Sequence, residues 1–369
     1  MNSHLRERER LTVLLAALED PSRAPALPAD DPLLIEVARH HRLSPLLSIT
    51  CGETLPTPLG VTFRRDRVVT AARNMILAQA AEECLRVLAA AGIPTIVLKG
   101  LDYETRLYGA PGARPTADVD LLVPDEKRRA AFGVLDRLGF EPRAAAPGFD
   151  EPNYHEVAWT RAGVEVDLHL ALAPLARCGI DYRAVWRAAV PLQIGGTEAL
   201  ALDQSHAAIF HALHMAIDHF DVPAIYLVDL ARLLPDGQTV DAAEELAGRW
   251  RCRRPLETAT ALVAAFFPSW CRTSPARSDF APMRARIVER YGVTASLPRP
   301  EQLVRKLLHF DGLPDAAYYI LVQSRRNLRE QIERRTRRRS ADCPIPRRSP
   351  AGGQRTRPAD YPARPRCVR

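Results

Sequence analysis

The run Asp118-Val119-Asp120-Leu121-Leu122-Val123 sets two carboxylates into an otherwise aliphatic segment. Strand side chains alternate between faces, so in a strand Asp118 and Asp120 share one face while Val119 and Leu121 enter a core on the other. Two like charges aimed the same way repel unless a cation lies between them, and hard cations such as Mg²⁺ take oxygen ligands. A second run, Val164-Glu165-Val166-Asp167-Leu168-His169, puts Glu165, Asp167 and His169 on one face. If the two strands are neighbours, Asp167 is the natural third ligand and Glu165 a less favoured substitute. Three such carboxylates would cradle one or two Mg²⁺ or Mn²⁺ ions, an arrangement suited to phosphoryl chemistry. The competing reading is plain surface aspartates.

These runs sit in a chain that changes texture twice. Apolar residues recur at helical spacing over 5–20 (Leu11, Leu14, Leu15, Leu18) and 32–48 (Leu33, Leu34, Val37). A long stripe over 61–91 follows (Val68, Ala71, Met75, Ala78, Ala81, Leu85, Leu88), with Gly92 as its left-handed stop. Short β-branched runs then take over at Pro94–Leu98, 117–123, 140–143, 154–160 and 164–170, with helices at 101–108 and 125–138. Ala162-Gly163 marks a hairpin between the last two strands, and 110–116 is a Pro/Gly loop. The order β-α-β-α-β-β-β over 93–171 predicts a small mixed α/β sheet flanked by helices. Helical texture returns beyond 200: a segment capped by Asp203 or Ser205 runs through Ile217, then 225–234, 240–267, 281–291 and 300–335. Four parts are expected: a helical segment 1–92, an α/β core 93–200, a helical domain 201–335, and a disordered Arg/Pro-rich tail 336–369.

The formal charge of +7 belongs to the tail. Ser324–Arg369 holds 15 Arg against 4 acids, a surplus of +11, so the rest of the chain carries 7 − 11 = −4. A mildly acidic body argues against a nucleic-acid cleft, which leaves the tail as the one route to such a partner. The seven scattered cysteines form no CxxC pair and the N-terminus is charged, so reduced thiols in the cytoplasm are expected. No segment approaches a membrane span, and no membrane partner is expected.

Lys99-Gly100 closes a buried strand where a helix begins. Backbone N–H groups there favour anions, glycine permits close approach of a phosphate, and Lys99 adds a point charge. In an extended segment Arg114 and Thr116 share the face of Asp118 and Asp120. From there Arg114 would neutralise phosphate charge or pair with a carboxylate. His169 would orient a ligand carboxylate, contact substrate or act as a base, or else be a structural histidine. His206, His211, His214 and His219, with Asp218, Asp221 and Asp229, lack HExxH spacing; they read as helix packing or a cleft wall rather than a zinc site.

Taken in order, Leu98-Lys99-Gly100, Leu107-Tyr108-Gly109, Arg114, Asp118–Val123, Val166-Asp167-Leu168-His169 and the later His211, His214 and Leu227-Val228-Asp229-Leu230 resemble an uncharacterised nucleotidyltransferase family of the polymerase-β-like superfamily. The resemblance spans about residues 30–235. It implies a small mixed sheet of that type embedded between helical segments, and transfer of a nucleoside monophosphate from an NTP such as ATP to an acceptor. Asp118, Asp120 and Asp167 would be catalytic metal ligands, and Lys99, Gly100, Arg114 and His169 would face the nucleotide. The wider superfamily has Gly-Ser where this chain has Lys99-Gly100, so the phosphate grip differs. The acceptor is expected to be a small molecule or a protein. A non-catalytic nucleotide-binding member and an RNA-modifying enzyme using the basic tail are the other readings.

Overall fold

Helical periodicity in the first ninety residues becomes four helices: α1 (Ser3–Glu19), α2 (Pro32–His40), α3 (Ser44–Thr50) and α4 (Thr57–Ala90). This computed structural model describes residues 3–143, 155–174, 178–270 and 281–292, with scattered positions from 302 to 321. The chain divides into two units, Met1–Val322 and Gln323–Arg369, and every described residue lies in the first. The tail 336–369 and most of the 300–335 helix therefore lie outside the described residues. Asp31 caps α2 by accepting from the N–H groups of Leu33 and Leu34, and Pro32 opens the helix.

The stripe along α4 has a different phase from the one expected. Val68 and Met75 are exposed, and the buried face is Phe63, Asn74, Leu77, Ala81, Cys84, Leu85 and Leu88. The reason is that α4 crosses between two cores. Leu59 and Phe63 belong to one, Leu77 to Leu88 to the other. The intervening turns contact backbone instead: Arg67 Nε donates to Pro111 O at 3.2 Å, and Arg73 Nη2 donates to Gly163 O at 3.0 Å. Gly92, at φ 67, ends the helix as expected.

The expected strand and helix order appears as β1 (Ile96–Leu98), α5 (Lys99–Tyr103), β2 (Val119–Leu122), α6 (Arg128–Arg137), β3 (Glu141–Pro142), β4 (Glu156–Arg161) and β5 (Val164–His169). Ala162 and Gly163, both at positive φ, make the tight β4–β5 hairpin. After α7 (Tyr182–Ala188) the structure adds two strands not expected from the sequence, β6 (Val190–Ile194) and β7 (Thr197–Ala201). Gly195-Gly196 between two alternating runs was the available signal. The mixed sheet has the order β3-β4-β5-β2-β1-β7-β6, with β2 antiparallel to β1 and parallel to β5. Helices α8 (Gln204–Ile217), α9 (Ile225–Leu233), α10 (Gly237–Trp250), α11 (Arg253–Phe266) and α12 (Ala281–Arg290) follow. Asp203 caps α8.

Period two decides what each sheet face meets. Val97, Val119, Leu121, Val166 and Leu168 pack on one side with α6 and the C-terminal half of α4. Ile96, Leu98 and Leu122 face the other side, in a core shared by α1–α3 and α8–α12. Asp118 and Asp120 have the parity of Leu122, so they face the layer built from both ends of the described chain.

Candidate active site

Strand register assembles the acids. Asp120 is the partner of Asp167 on the parallel neighbour β5 and of Leu98 on the antiparallel neighbour β1. Adjacent strands lie about 4.8 Å apart, so Asp120, Asp167 and the residue after Leu98, Lys99, meet at one point. Asp118 joins them from the residue preceding β2. One carboxylate oxygen from each of Asp118, Asp120 and Asp167 lies within 4.8 Å of the others, the one such cluster of potential metal ligands among the described residues. Lys99 Nζ donates to Asp120 Oδ1 at 3.0 Å, and His169 Nε2 lies 3.0 Å from the same oxygen. An ionised carboxylate only accepts, so His169 carries its hydrogen on Nε2. Its Nδ1 is 3.5 Å from Glu156 Oε2. His169 thus hydrogen-bonds the central carboxylate of the cluster. Glu165 turns away, into an ion pair with Arg143 at 2.8 Å.

The three acids differ in how readily they ionise. Burial pushes the Asp120 carboxyl up, but Lys99 and His169 outweigh it and hold it below the usual carboxylate range. Burial and then the charge of Asp120 push Asp167 up to about 7. Burial and Asp120 also raise Asp118. Repulsion within the triad is therefore not quenched by Lys99 alone. Asp120 Oδ2 and Asp167 Oδ1 are buried with no hydrogen-bond partner among the described residues. Buried carboxylate oxygens are almost always satisfied, so this pair is aimed at something else.

Lys99 and Gly100 stand at the strand-to-helix junction with positive φ of 28° and 29°. The glycine is required twice over, because a Cβ there would also lie 2.8 Å from Thr116 Cγ2. That contact packs the turn against the loop leading to Asp118.

Arg114 does not join the acids. Its guanidinium is buried against Asp229, with Nε donating to both carboxylate oxygens at 3.0 Å and Nη2 donating to Oδ2 at 2.8 Å. Tyr108 donates its hydroxyl to Asp229 Oδ1 at 2.6 Å, and Arg114 lies 5.4 Å from the Tyr103 ring centroid. Asn74 holds the same loop: its amide donates to Arg114 O at 2.9 Å and accepts from the Thr116 N–H at 3.3 Å. Sequence reasoning passed over Asn74, although a lone amide on the inner side of a helix is a signal. Asp229, read from sequence beside the histidines and within the Leu227–Leu230 stretch, is instead the partner of Arg114.

The histidine group resolves into packing. His206 pairs with its own helix cap Asp203, and His211 Nε2 donates to Tyr226 O at 2.9 Å. His214 stacks on Tyr226 at 5.7 Å. Phe210, one turn earlier on α8, meets the His169 ring at 6.1 Å. Helix α8 thus walls the acidic site.

The family described as "Uncharacterised nucleotidyltransferase" matches the chain over residues 28–268, more than half its length. The chain belongs to this family. It is accordingly a transferase of the nucleotidyltransferase class. Among curated proteins, none matches. Among solved structures, the antibiotic-resistance factor ANT(2'')-Ia in solution is similar at 13% identity and TM-score 0.36, over 47% of this chain and 91% of that one. An antigenic nucleotidyltransferase-like protein from Paracoccidioides brasiliensis is similar at 17% identity and TM-score 0.28, over 52% and 90%. Among the described residues no helix is long and apolar enough to cross a membrane.

Proposed function

We propose that this protein transfers a nucleoside monophosphate from an NTP to a small-molecule or protein acceptor in a Mg²⁺-dependent reaction. The observation that carries the reading is the convergence of Asp118, Asp120 and Asp167 with two buried oxygens left unsatisfied. The donor set fits a hard divalent cation: it is all carboxylate oxygen, with no cysteine or histidine aimed into it. Asp118, Asp120 and Asp167 would hold Mg²⁺ or Mn²⁺, which would neutralise phosphate charge and lower the pKa of the acceptor group.

The chain's own residues perform the positioning. Lys99 and His169 lock one oxygen of Asp120, which leaves the other pointed into the site. Lys99 has three N–H donors, one of them taken by Asp120, so the rest are directed at incoming phosphate. Gly100 lets the backbone approach that phosphate without a side chain in the way. Phe210 and His214 cover the site from α8 and reduce water access, which strengthens charge interactions inside.

The test is pyrophosphate release from each of the four NTPs by the full chain with Mg²⁺. Asp118→Ala or Asp120→Ala should lower it by roughly 10²–10³-fold or more, the scale of losing one preorganised electrostatic contact. Wild-type rates in both variants would sink the reading.

A further inference from the structure

A nucleoside triphosphate brings about four negative charges, yet of the two cations expected to meet them one is partly and the other fully engaged. Lys99 bonds Asp120, and Arg114 is saturated by Asp229. A third cation lies at the site from a part of the chain that the motifs do not reach. Deepening the nucleotidyl-transfer reading, on which it rests, we propose that Arg42, in the turn between α2 and α3, grips the β- and γ-phosphates of the NTP.

Three observations support this. First, the turn is anchored at the site. The Ala224 N–H donates to His41 Nδ1 at 3.2 Å and the Ile225 N–H to His41 O at 3.2 Å, which fixes residues 41 and 42 beside the start of α9. The next residue, Tyr226, stacks on His214 of the site wall. The guanidinium of Arg42 is therefore carried on a turn packed against the end of α9 that supplies Tyr226 to the site wall.

Second, Arg42 is half-buried, yet its side chain makes no ion pair or hydrogen bond among the described residues. Comparable arginines nearby do: Arg106 binds Asp102 and Leu202 O, and Arg232 binds Leu107 O. Third, Arg42 occupies left-handed backbone at φ 57. It is the residue after the α2 cap in a Schellman motif, with the Leu43 N–H donating to Ala38 O at 2.7 Å and its own N–H to Arg39 O at 3.0 Å. Glycine or asparagine takes that conformation more readily, so an arginine is held there against local preference. Lys99 shares this property. A planar guanidinium with free N–H groups suits two adjacent phosphates better than a lysine does.

The test measures binding by the full chain of each NTP, of the matching monophosphate and of inorganic tripolyphosphate, all with Mg²⁺. Arg42→Gln and Arg42→Gly should weaken the accepted NTP by about tenfold or more, with the monophosphate changed less than twofold and tripolyphosphate no longer competing. Arg42→Lys should fall between. Arg42→Gly should melt at or above the wild-type temperature, since glycine fits the left-handed backbone, so it decides the matter should the glutamine variant fold poorly. Wild-type NTP affinity in Arg42→Gly, or an equal loss for the monophosphate, overturns the assignment to Arg42. A wild type that binds no NTP overturns the transfer reading itself.

Discussion

Two buried aspartates, Asp120 and Asp229, each face a buried cation, and they are finished in opposite ways. Asp229 receives three guanidinium contacts from Arg114 and the hydroxyl of Tyr108, so both of its oxygens are bonded. Asp120 concentrates Lys99 and His169 on one oxygen and leaves the other bare beside the bare oxygen of Asp167. A saturated ion pair is scaffolding: it ties the loop carrying Arg114 to α9. An unsaturated one leaves lone pairs open, which on the proposed reading a cation from outside would fill. Satisfaction of lone pairs, more than burial or charge, separates the two.

The sharpest way to break this contrast is to remove one acid from each centre. Asp167→Asn removes a like charge from the crowded triad, so pyrophosphate release should fall by 10²-fold or more while the melting temperature holds or rises. Asp229→Ala strands a buried guanidinium, and denaturant unfolding should show a loss of roughly 3–5 kcal/mol. A stable Asp229→Ala protein, or an Asp167→Asn variant that unfolds, would reverse the roles. Next in size, Asn74→Ala leaves Arg114 O and the Thr116 N–H without their partner. It should lose about 1–3 kcal/mol in the same unfolding measurement.

The smallest effect per step is a pH dependence. Burial lowers His41 to about 3 and His211 to about 4. The unfolded value is about 6.5, so on acidification the unfolded chain takes up these protons first. Stability contributed by the neutral forms is full above that value and is lost as pH falls through 6.5 towards 4, by roughly 1 kcal/mol per pH unit for each histidine. Unfolding curves at pH 7, 6 and 5 check the slope, and His211→Gln should flatten it.

Much of this was legible along the chain. The alternation in Asp118–Val123 and Val164–His169 is local, and β2 and β5 carry it with the predicted faces, Asp118 just ahead of β2. Asp203 as the cap of α8 and Ala162-Gly163 as a hairpin turn are equally local. The phase of α4 was not legible, because the helix serves two cores and its middle serves a loop; Val68 and Met75 carry the right period on an exposed face. Strands β6 and β7 were not legible because Pro191 weakens the strand pattern of β6 and only the Gly195-Gly196 turn marks the pair.

The sequence by itself determined which residues are acidic, which faces they share and that two such faces exist, since side-chain direction in a strand follows from backbone geometry alone. Only the tertiary structure decided which charges meet. Arg114 and Asp229 are 115 positions apart, and sequence spacing placed that arginine with Asp118 and Asp120 instead. Sheet register set Lys99 and Asp167 against Asp120, and helix docking set the turn carrying Arg42 against the start of α9. Those pairings depend on packing between distant segments, which no local period encodes.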